Sequence, residues 1–158
     1  MTSSGLSIRQ LALADMDAAA RVHRAAFDHA LPWLKGLHTP DEDRWFYRER
    51  MFATCTLWGA FDADAMTGVI AFRGDWVEQL YVLPSEQACG IGSALLDIAR
   101  QQSDRLQLWT FQRNAIARRF YEARGFVLVE RTDGSRNEER EPDARHLWTR
   151  KGRRGAGG

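Results

Sequence analysis

Residues 80–96 read LYVLPSEQACGIGSALL, and this stretch decides the fold. It begins as an apolar β-strand, continues as a short loop with Gly90 and Gly92, and ends in the apolar pattern of a helix. Backbone N–H groups in the first turn of a helix attract anions, and glycines let a phosphate approach them closely. The stretch therefore predicts either a diphosphate site at Gln87 to Ser93 or simply a tight strand-to-helix turn.

Two other phosphate-binding loops fit this stretch poorly. A Rossmann loop would need a third glycine where Leu95 stands, and it would lie on a strand near the start of the chain. A Walker A loop would need a lysine directly after Gly92, where the chain has Ser93. Dinucleotide and nucleoside triphosphate binding are therefore disfavoured.

The elements on either side of this stretch follow from periodicity and end signals. Asp15 is a candidate N-cap for an amphipathic helix, and Thr39, Pro40 and Glu42 form a capping box that starts a second helix. We expect strands at 6–11, 56–61, 68–72, 76–83, 106–111, 126–131 and 145–150, and helices at 16–30, 40–53, 90–102 and 114–124.

This order of elements predicts an α+β fold with helices layered on both sides of a sheet. The sheet is expected to be mixed, mostly antiparallel, and built from about six to seven strands. We expect one domain over residues 1–150, followed by a flexible basic and glycine-rich tail at 151–158.

A second motif lies downstream, where residues 114–126 read NAIARRFYEARGF. Together with Gln87-x-x-Gly90-x-Gly92, it resembles the two signatures of the GNAT (Gcn5-related N-acetyltransferase) superfamily, and the resemblance covers residues 77–129. It implies a GNAT-like fold with acetyl-CoA as cosubstrate. The implied reaction is acetyl transfer to a primary amine of a small molecule or peptide, by direct attack and without a covalent enzyme intermediate.

The resemblance also implies which residues hold the cofactor. Asn114 could cap its helix, bind the cofactor, or do both. Cys89 is interpreted as a small filler in the loop rather than a nucleophile. The implied cofactor-binding residues are Leu80, Tyr81, Val82, Gln87, Ala88, Cys89, Gly90, Ile91, Gly92, Ser93, Asn114 and Phe120.

Two side chains are the candidates for catalysis. By resemblance, Tyr121 protonates the departing thiolate, whereas helical spacing alone favours a core aromatic residue. Glu78 on the central strand is the candidate base, unless it is exposed or paired with an arginine. Asp75 and His23 are further candidates for the base.

The acceptor side is less defined by the sequence. Phe27, Trp33 and His38 are expected to line the acceptor pocket, and they are equally sensible as core residues. Acidic residues near Glu138 and Glu139 could attract a cationic amine or simply be solvated. An acyl-CoA-binding module without catalysis and a protein-interaction domain remain alternatives to an enzyme.

Composition limits the partners of this 158-residue chain. The formal net charge of +1 gives no sign of nucleic acid binding, and the two cysteines lack metal-site spacing. Without a signal peptide or an apolar span, the expectation is a cytoplasmic protein with no membrane contact and no metal. Six tryptophans leave room for an apolar surface, so a homodimer is possible.

Overall fold

A computed structural model describes residues 6–150, and the predicted basic tail at 151–158 lies outside this range. Seven strands form a mixed sheet in the order β1-β2-β3-β4-β5-β7-β6 with flanking helices, which confirms the predicted fold class. The strands are β1 (Leu6–Gln10), β2 (Thr56–Asp62), β3 (Ala65–Arg73), β4 (Trp76–Val82), β5 (Arg105–Phe111), β6 (Val127–Thr132) and β7 (Asp143–Thr149).

Contacts divide the chain into two compact units. Of the residues described, the first unit comprises 6–73 together with Val77–Ala99, and the second comprises Gly74–Trp76 together with 100–150. The helices are α1 (Met16–Ala30), α2 (Pro40–Trp45), α3 (Phe52–Thr54), α4 (Ile91–Gln101) and α5 (Ala115–Glu122).

The first unit is built on antiparallel pairing of β1 with β2 and of β2 with β3. The hairpin between β2 and β3 is tighter than the sequence predicted, because pairing extends to Asp62 and Ala65 and leaves a turn at Ala63 with φ 55°. The core of this unit contains Met16 from α1, Tyr47, and Val69 from β3, each fully buried. This packing buries the apolar face of α1 predicted from its periodicity.

Two local predictions in the first unit need correction. Asp15 does not cap α1 with its side chain, because its carboxylate accepts the N–H of Ala12 at 2.8 Å and pairs with Arg9 at 2.9 Å. The second helix does begin at the Thr39 capping box, but a π-helical turn, Phe46–Met51, separates α2 from α3. Such wide turns rearrange the side chains that follow them, which simple helical periodicity cannot show.

In the second unit, β7 pairs antiparallel with both β5 and β6. Trp76, at the start of β4, pairs in parallel with Gln107 of β5. Helix α5 connects β5 to β6 and ends before Gly125, whose φ of +93° is the left-handed conformation that favours glycine after a helix. β6 is the edge strand of the sheet.

Candidate active site

The loop before α4 has the geometry of an anion site. Gly90 adopts φ +84° and Ala88 adopts φ +67°, so the chain turns sharply into the helix. The first helical hydrogen bond runs from Ala94 N–H to Gly90 O at 3.0 Å, which leaves the amides of Ile91 and Gly92 without partners inside the helix. A Cβ built on Gly90 would meet nothing within 4 Å, so the space above the loop is open.

Contacts within the first unit hold this loop in place. The side chain of Gln87 donates to the carbonyl of Val82 at 3.0 Å and thereby ties the loop to the end of β4. Gly68 on β3 lets α4 pack closely, because a Cβ there would lie 2.9 Å from Ile91 Cγ2. Cys89 is exposed, and its thiol lies 3.7 Å from the carbonyl of Gln87. The Gln87 side chain thus has a structural role in the loop.

The strand residues assigned to the cofactor are half-buried in β4. The ring of Tyr81 stacks on His23 of α1, with 4.2 Å between the ring centroids. Leu80 precedes Tyr81, and Val82 accepts the hydrogen bond from Gln87 through its carbonyl. Pairing of the Leu80 and Val82 backbone with a cofactor stays a prediction.

The candidate bases already have partners. Glu78 pairs with Arg73 at 2.9 Å, and a quarter of its side chain is exposed. Asp75 binds Arg105 at 2.8 Å and Gln107 at 3.1 Å, so its carboxylate is used within the second unit. The arginine pairing that the sequence left open for Glu78 is present, and removing a proton from an amine would require Glu78 to act in spite of it.

An aromatic cluster surrounds His23 in the first unit. Its ring stacks near Phe27 with 5.9 Å between centroids and meets Phe46 and Tyr47 edge-on. Nδ1 of His23 lies 2.8 Å from the hydroxyl of fully buried Tyr47. Phe27, one of the predicted acceptor residues, belongs to this cluster.

The other predicted acceptor residues lie at the surface. Trp33 is 46% exposed on the short 3-10 turn Pro32–Leu34. His38 is half-exposed, with Nδ1 3.5 Å from Glu42 of the capping box. Their contact with an acceptor therefore stays a prediction.

The second signature motif forms α5 and its surroundings. Asn114 caps the helix by accepting the N–H of Ala117 at 3.2 Å, which is one of the two roles considered for it. Tyr121 is only 8% exposed and packs edge-on between Phe120 at 5.1 Å and Phe126 at 5.4 Å. Phe120 in turn lies under the guanidinium of Arg124. This packing fixes the Tyr121 ring firmly in the second unit.

The second unit also contains an open groove of about 700 Å³. Its lining includes Trp109 and Phe111 of β5, one arginine, Arg136, and four carboxylates. The carboxylates belong to Glu130, Asp133, Glu139 and Asp143. Of these, Glu130 pairs with Arg145 at 2.9 Å and Asp143 binds Asn137 at 3.0 Å. Glu139, one of the acidic residues considered from the sequence for attracting a cationic amine, is among them.

Sequence reasoning missed the partner of His23. Tyr47 lies 24 positions after His23, on the π-helical turn, and no local pattern links the two. The groove in the second unit was also missed, since Trp109, one of its lining residues, has only the pattern of an ordinary strand residue. Within residues 6–150, no group of three or more His, Cys, Asp or Glu side chains could hold a metal ion. Over the same range, no helix is long and apolar enough to cross a membrane.

Comparison with known proteins identifies the class. The family profile described as "Acetyltransferase (GNAT) domain" matches residues 53–128. That range contains both quoted motifs. Residues 53–128 of the chain match the GNAT domain, which confirms the resemblance to the GNAT superfamily.

Individual relatives are distant. The chain is 25% identical over 100 residues to YiaC, a peptidyl-lysine N-acetyltransferase of Escherichia coli (strain K12). The match covers 63% of this chain and 60% of YiaC. The apo solution structure of YjaB from Escherichia coli superposes with a TM-score of 0.77 at 21% identity, covering 92% of this chain and 98% of YjaB. YncA of Salmonella typhimurium, solved with acetyl-CoA, has a TM-score of 0.69 at 21% identity, covering 92% of this chain and 94% of YncA.

Proposed function

We propose that the chain is an acetyl-CoA-dependent N-acetyltransferase. The observation that carries this proposal is the loop before α4, where Gly90 is open to solvent and the first-turn amides face out of the helix. Such an arrangement attracts a diphosphate through its N–H groups and the helix macrodipole. The residues present fit this group, because a side chain at Gly90 would point into the space that a phosphate needs. The solved complex of the fold relative YncA with acetyl-CoA supports the same choice.

The proposed reaction is direct attack by a neutral amine. Its nitrogen bonds to the thioester carbonyl carbon, the carbon–sulfur bond breaks, and the thiolate takes a proton from the hydroxyl of Tyr121. Before the attack, the protonated amine loses one proton through a water molecule to Glu78, whose carboxylate is paired with Arg73. After the attack, the second proton leaves the nitrogen and restores the hydroxyl of Tyr121. The roles of Tyr121 and Glu78 come from the family resemblance and belong to the proposal.

The proposed acceptor is a primary amine of a small molecule or peptide. An amine is cationic in solution near neutral pH, and the four carboxylates of the second unit's groove attract such a cation from solution. The similarity to YiaC, a peptidyl-lysine N-acetyltransferase, supports a peptide among these acceptors.

A set of glycine variants tests cofactor binding. Gly90→Glu fills and charges the loop, whereas Gly90→Ala carries the same left-handed backbone penalty with little added bulk. Gly36→Glu is the matched control, because Gly36 also has a positive φ, of +90°, and open space around its Cβ. At a ligand concentration about 100 times Kd, acetyl-CoA should add about 2.7 kcal/mol of stability and raise the melting temperature by several degrees.

The expected result is a rise in melting temperature with acetyl-CoA for the parent, Gly90→Ala and Gly36→Glu, and none for Gly90→Glu. Thiol release with a panel of amines then tests turnover. A parent protein whose melting temperature does not respond to acetyl-CoA would contradict the proposal, and a rise that survives in Gly90→Glu would move the binding site elsewhere.

A second candidate is an acyl-CoA-binding module without catalysis. Two observations favour it: Tyr121 is buried between aromatic rings, and Glu78 is engaged by Arg73. This module would show the stabilisation by acetyl-CoA described above, but no thiol release with any amine. The turnover measurement therefore separates the two candidates.

A further inference from the structure

His23 is held more tightly than an ordinary surface histidine of a helix. Its ring is half-buried, with Tyr81 stacked on it at 4.2 Å and Phe27 at 5.9 Å. Nδ1 lies 2.8 Å from the hydroxyl of Tyr47. The ring is therefore fixed in orientation by three elements of the first unit.

The contact with Tyr47 determines which ring nitrogen carries the hydrogen. Tyr47 is fully buried, and burial raises the pKa of its hydroxyl well above the ordinary value, so the hydroxyl keeps its proton. Among residues 6–150, His23 Nδ1 is the hydrogen-bond partner of this hydroxyl. A buried hydroxyl that donates to nothing is costly, so Tyr47 donates and Nδ1 accepts. The hydrogen of the neutral ring then lies on Nε2.

The ring stays neutral at ordinary pH. Burial, followed by the charge of neighbouring Arg24, lowers the pKa of His23 to about 3. The charges facing it are those of Arg24 on α1, Asp43 on α2, and His38 before α2, and Arg24 is paired with Asp43 at 2.8 Å. His23 is therefore unsuited to act as a general base, the role considered for it from the sequence.

Nε2 is the free end of this arrangement. Among residues 6–150, Nε2 has no hydrogen-bond partner. It also differs from the fully buried side-chain atoms of that range that lack a partner, because it retains some contact with solvent. The Nε2–H group is consequently presented to whatever enters from solvent. Its neighbours are Tyr81, on the strand assigned to the cofactor, and Phe27, assigned to the acceptor pocket.

We propose that His23 Nε2–H binds a carbonyl oxygen of the acceptor, so that the acceptor is a peptide amine rather than a simple alkylamine. This inference rests on the proposed acetyltransferase function. A neutral donor among aromatic rings suits a neutral oxygen on a planar group, and an amide is such a group, because its planar faces can stack on the rings. His23 is thus a substrate-binding residue that sets specificity, and the proton transfers belong to other groups.

Nuclear magnetic resonance of protein with ¹⁵N-labelled histidine tests the inference on the parent chain. The ring nitrogens of His23 should show the Nε2–H tautomer at pH 7, and the Nε2–H resonance should shift on titration with a lysine-containing pentapeptide. An Nδ1–H tautomer, a protonated ring at pH 7, or an Nε2–H resonance unmoved by saturating peptide would each overturn the inference.

A kinetic comparison of the parent with a His23 variant tests whether this residue sets the preference for a peptide acceptor. His23→Asn keeps an oxygen near the Nδ1 position to accept from Tyr47 and removes the donor at Nε2. We expect the ratio of kcat/KM for the pentapeptide to kcat/KM for n-butylamine to fall about tenfold, the size of one lost hydrogen bond. An unchanged ratio would overturn the role of His23.

The two proposals fail separately in these experiments. Absence of thiol release with every amine would remove the acetyltransferase function, whatever the tautomer of His23. Thiol release with n-butylamine as efficient as with the peptide, and an unmoved Nε2–H resonance, would remove the peptide specificity and leave the acetyltransferase function standing.

Discussion

The role of the Tyr121 hydroxyl distinguishes the two candidate functions, the acetyltransferase and the acyl-CoA-binding module without catalysis. Tyr121→Phe preserves the ring contacts with Phe120 and Phe126 and removes only the oxygen. If this hydroxyl is the general acid, kcat for thiol release should fall about 100-fold while Kd for acetyl-CoA stays the same. A thiol-release assay measures kcat, and calorimetric titration measures Kd for acetyl-CoA. An unaltered kcat would assign the proton to another donor.

His23 should make the stability of the protein depend on pH. Its pKa is about 3 in the folded chain and about 6.5 when unfolded, so the unfolded state binds a proton that the folded state excludes. Above about pH 6.5 the ring is neutral in both states, and the unfolding free energy is at its full value. As the pH falls from 6.5 to about 3, the unfolded state takes up the proton and the unfolding free energy decreases. From pH 7 to pH 5, His23 should cost about 2 kcal/mol of unfolding free energy.

The matched variant for this pH dependence is His23→Asn, which has no titrating ring. Urea unfolding at pH 7 and pH 5 should show a steeper loss of unfolding free energy in the parent than in the variant. Equal losses in both would mean that His23 takes up its proton at an ordinary pH in the folded chain.

At the scale of elements, the contact between α4 and β3 sets the position of the glycine loop. Gly68→Ala would place a Cβ 2.9 Å from Ile91 and 3.1 Å from Leu95, both on α4. Either side chain must shift, which should cost about 1–3 kcal/mol of unfolding free energy and displace the first turn of α4. We therefore expect weaker binding of acetyl-CoA by calorimetry.

Gly59→Ala is the control for this element. Its Cβ would crowd Leu11 at 2.7 Å and Phe61 at 3.2 Å, on parts of the first unit other than α4. Both variants should lose stability, but only Gly68→Ala should lose affinity for acetyl-CoA. Equal affinities in the two variants would show that the loop does not depend on this packing.

At the scale of the whole molecule, the edge strand β6 exposes three consecutive apolar residues. Val127 is 58% exposed and Val129 43% exposed, and Val129 lies at a register shift in the pairing with β7. Exposed apolar edges are templates for pairing with another chain, so we expect concentration-dependent dimerisation through β6. Sedimentation velocity at increasing protein concentration measures it.

Val129→Lys should abolish this association, since a charge on an edge strand opposes pairing. Ile116→Lys is the control, because Ile116 is 70% exposed and belongs to α5 rather than to β6. A parent chain that stays monomeric at all concentrations, or a dimer that persists in Val129→Lys, would exclude β6 as the interface.

The sequence by itself determined the order of elements, the glycine loop and the helix that carries Tyr121. These features are local: a capping box at Thr39, alternation in the strands, and glycines placed where the backbone turns can each be read within a few residues. Local signals also explain the errors, since Asp15 resembles an N-cap until its carboxylate is seen to accept from Ala12.

Only the tertiary structure decided which side chains act together. It paired Glu78 with Arg73, placed Tyr47 against Nδ1 of His23, and gave Nε2 of that ring no hydrogen-bond partner among residues 6–150. The His23–Tyr47 contact joins residues 24 positions apart, on a helix and on a π-helical turn. Hydrogen-bond geometry and burial arise from packing between elements, and periodicity within one element does not encode them.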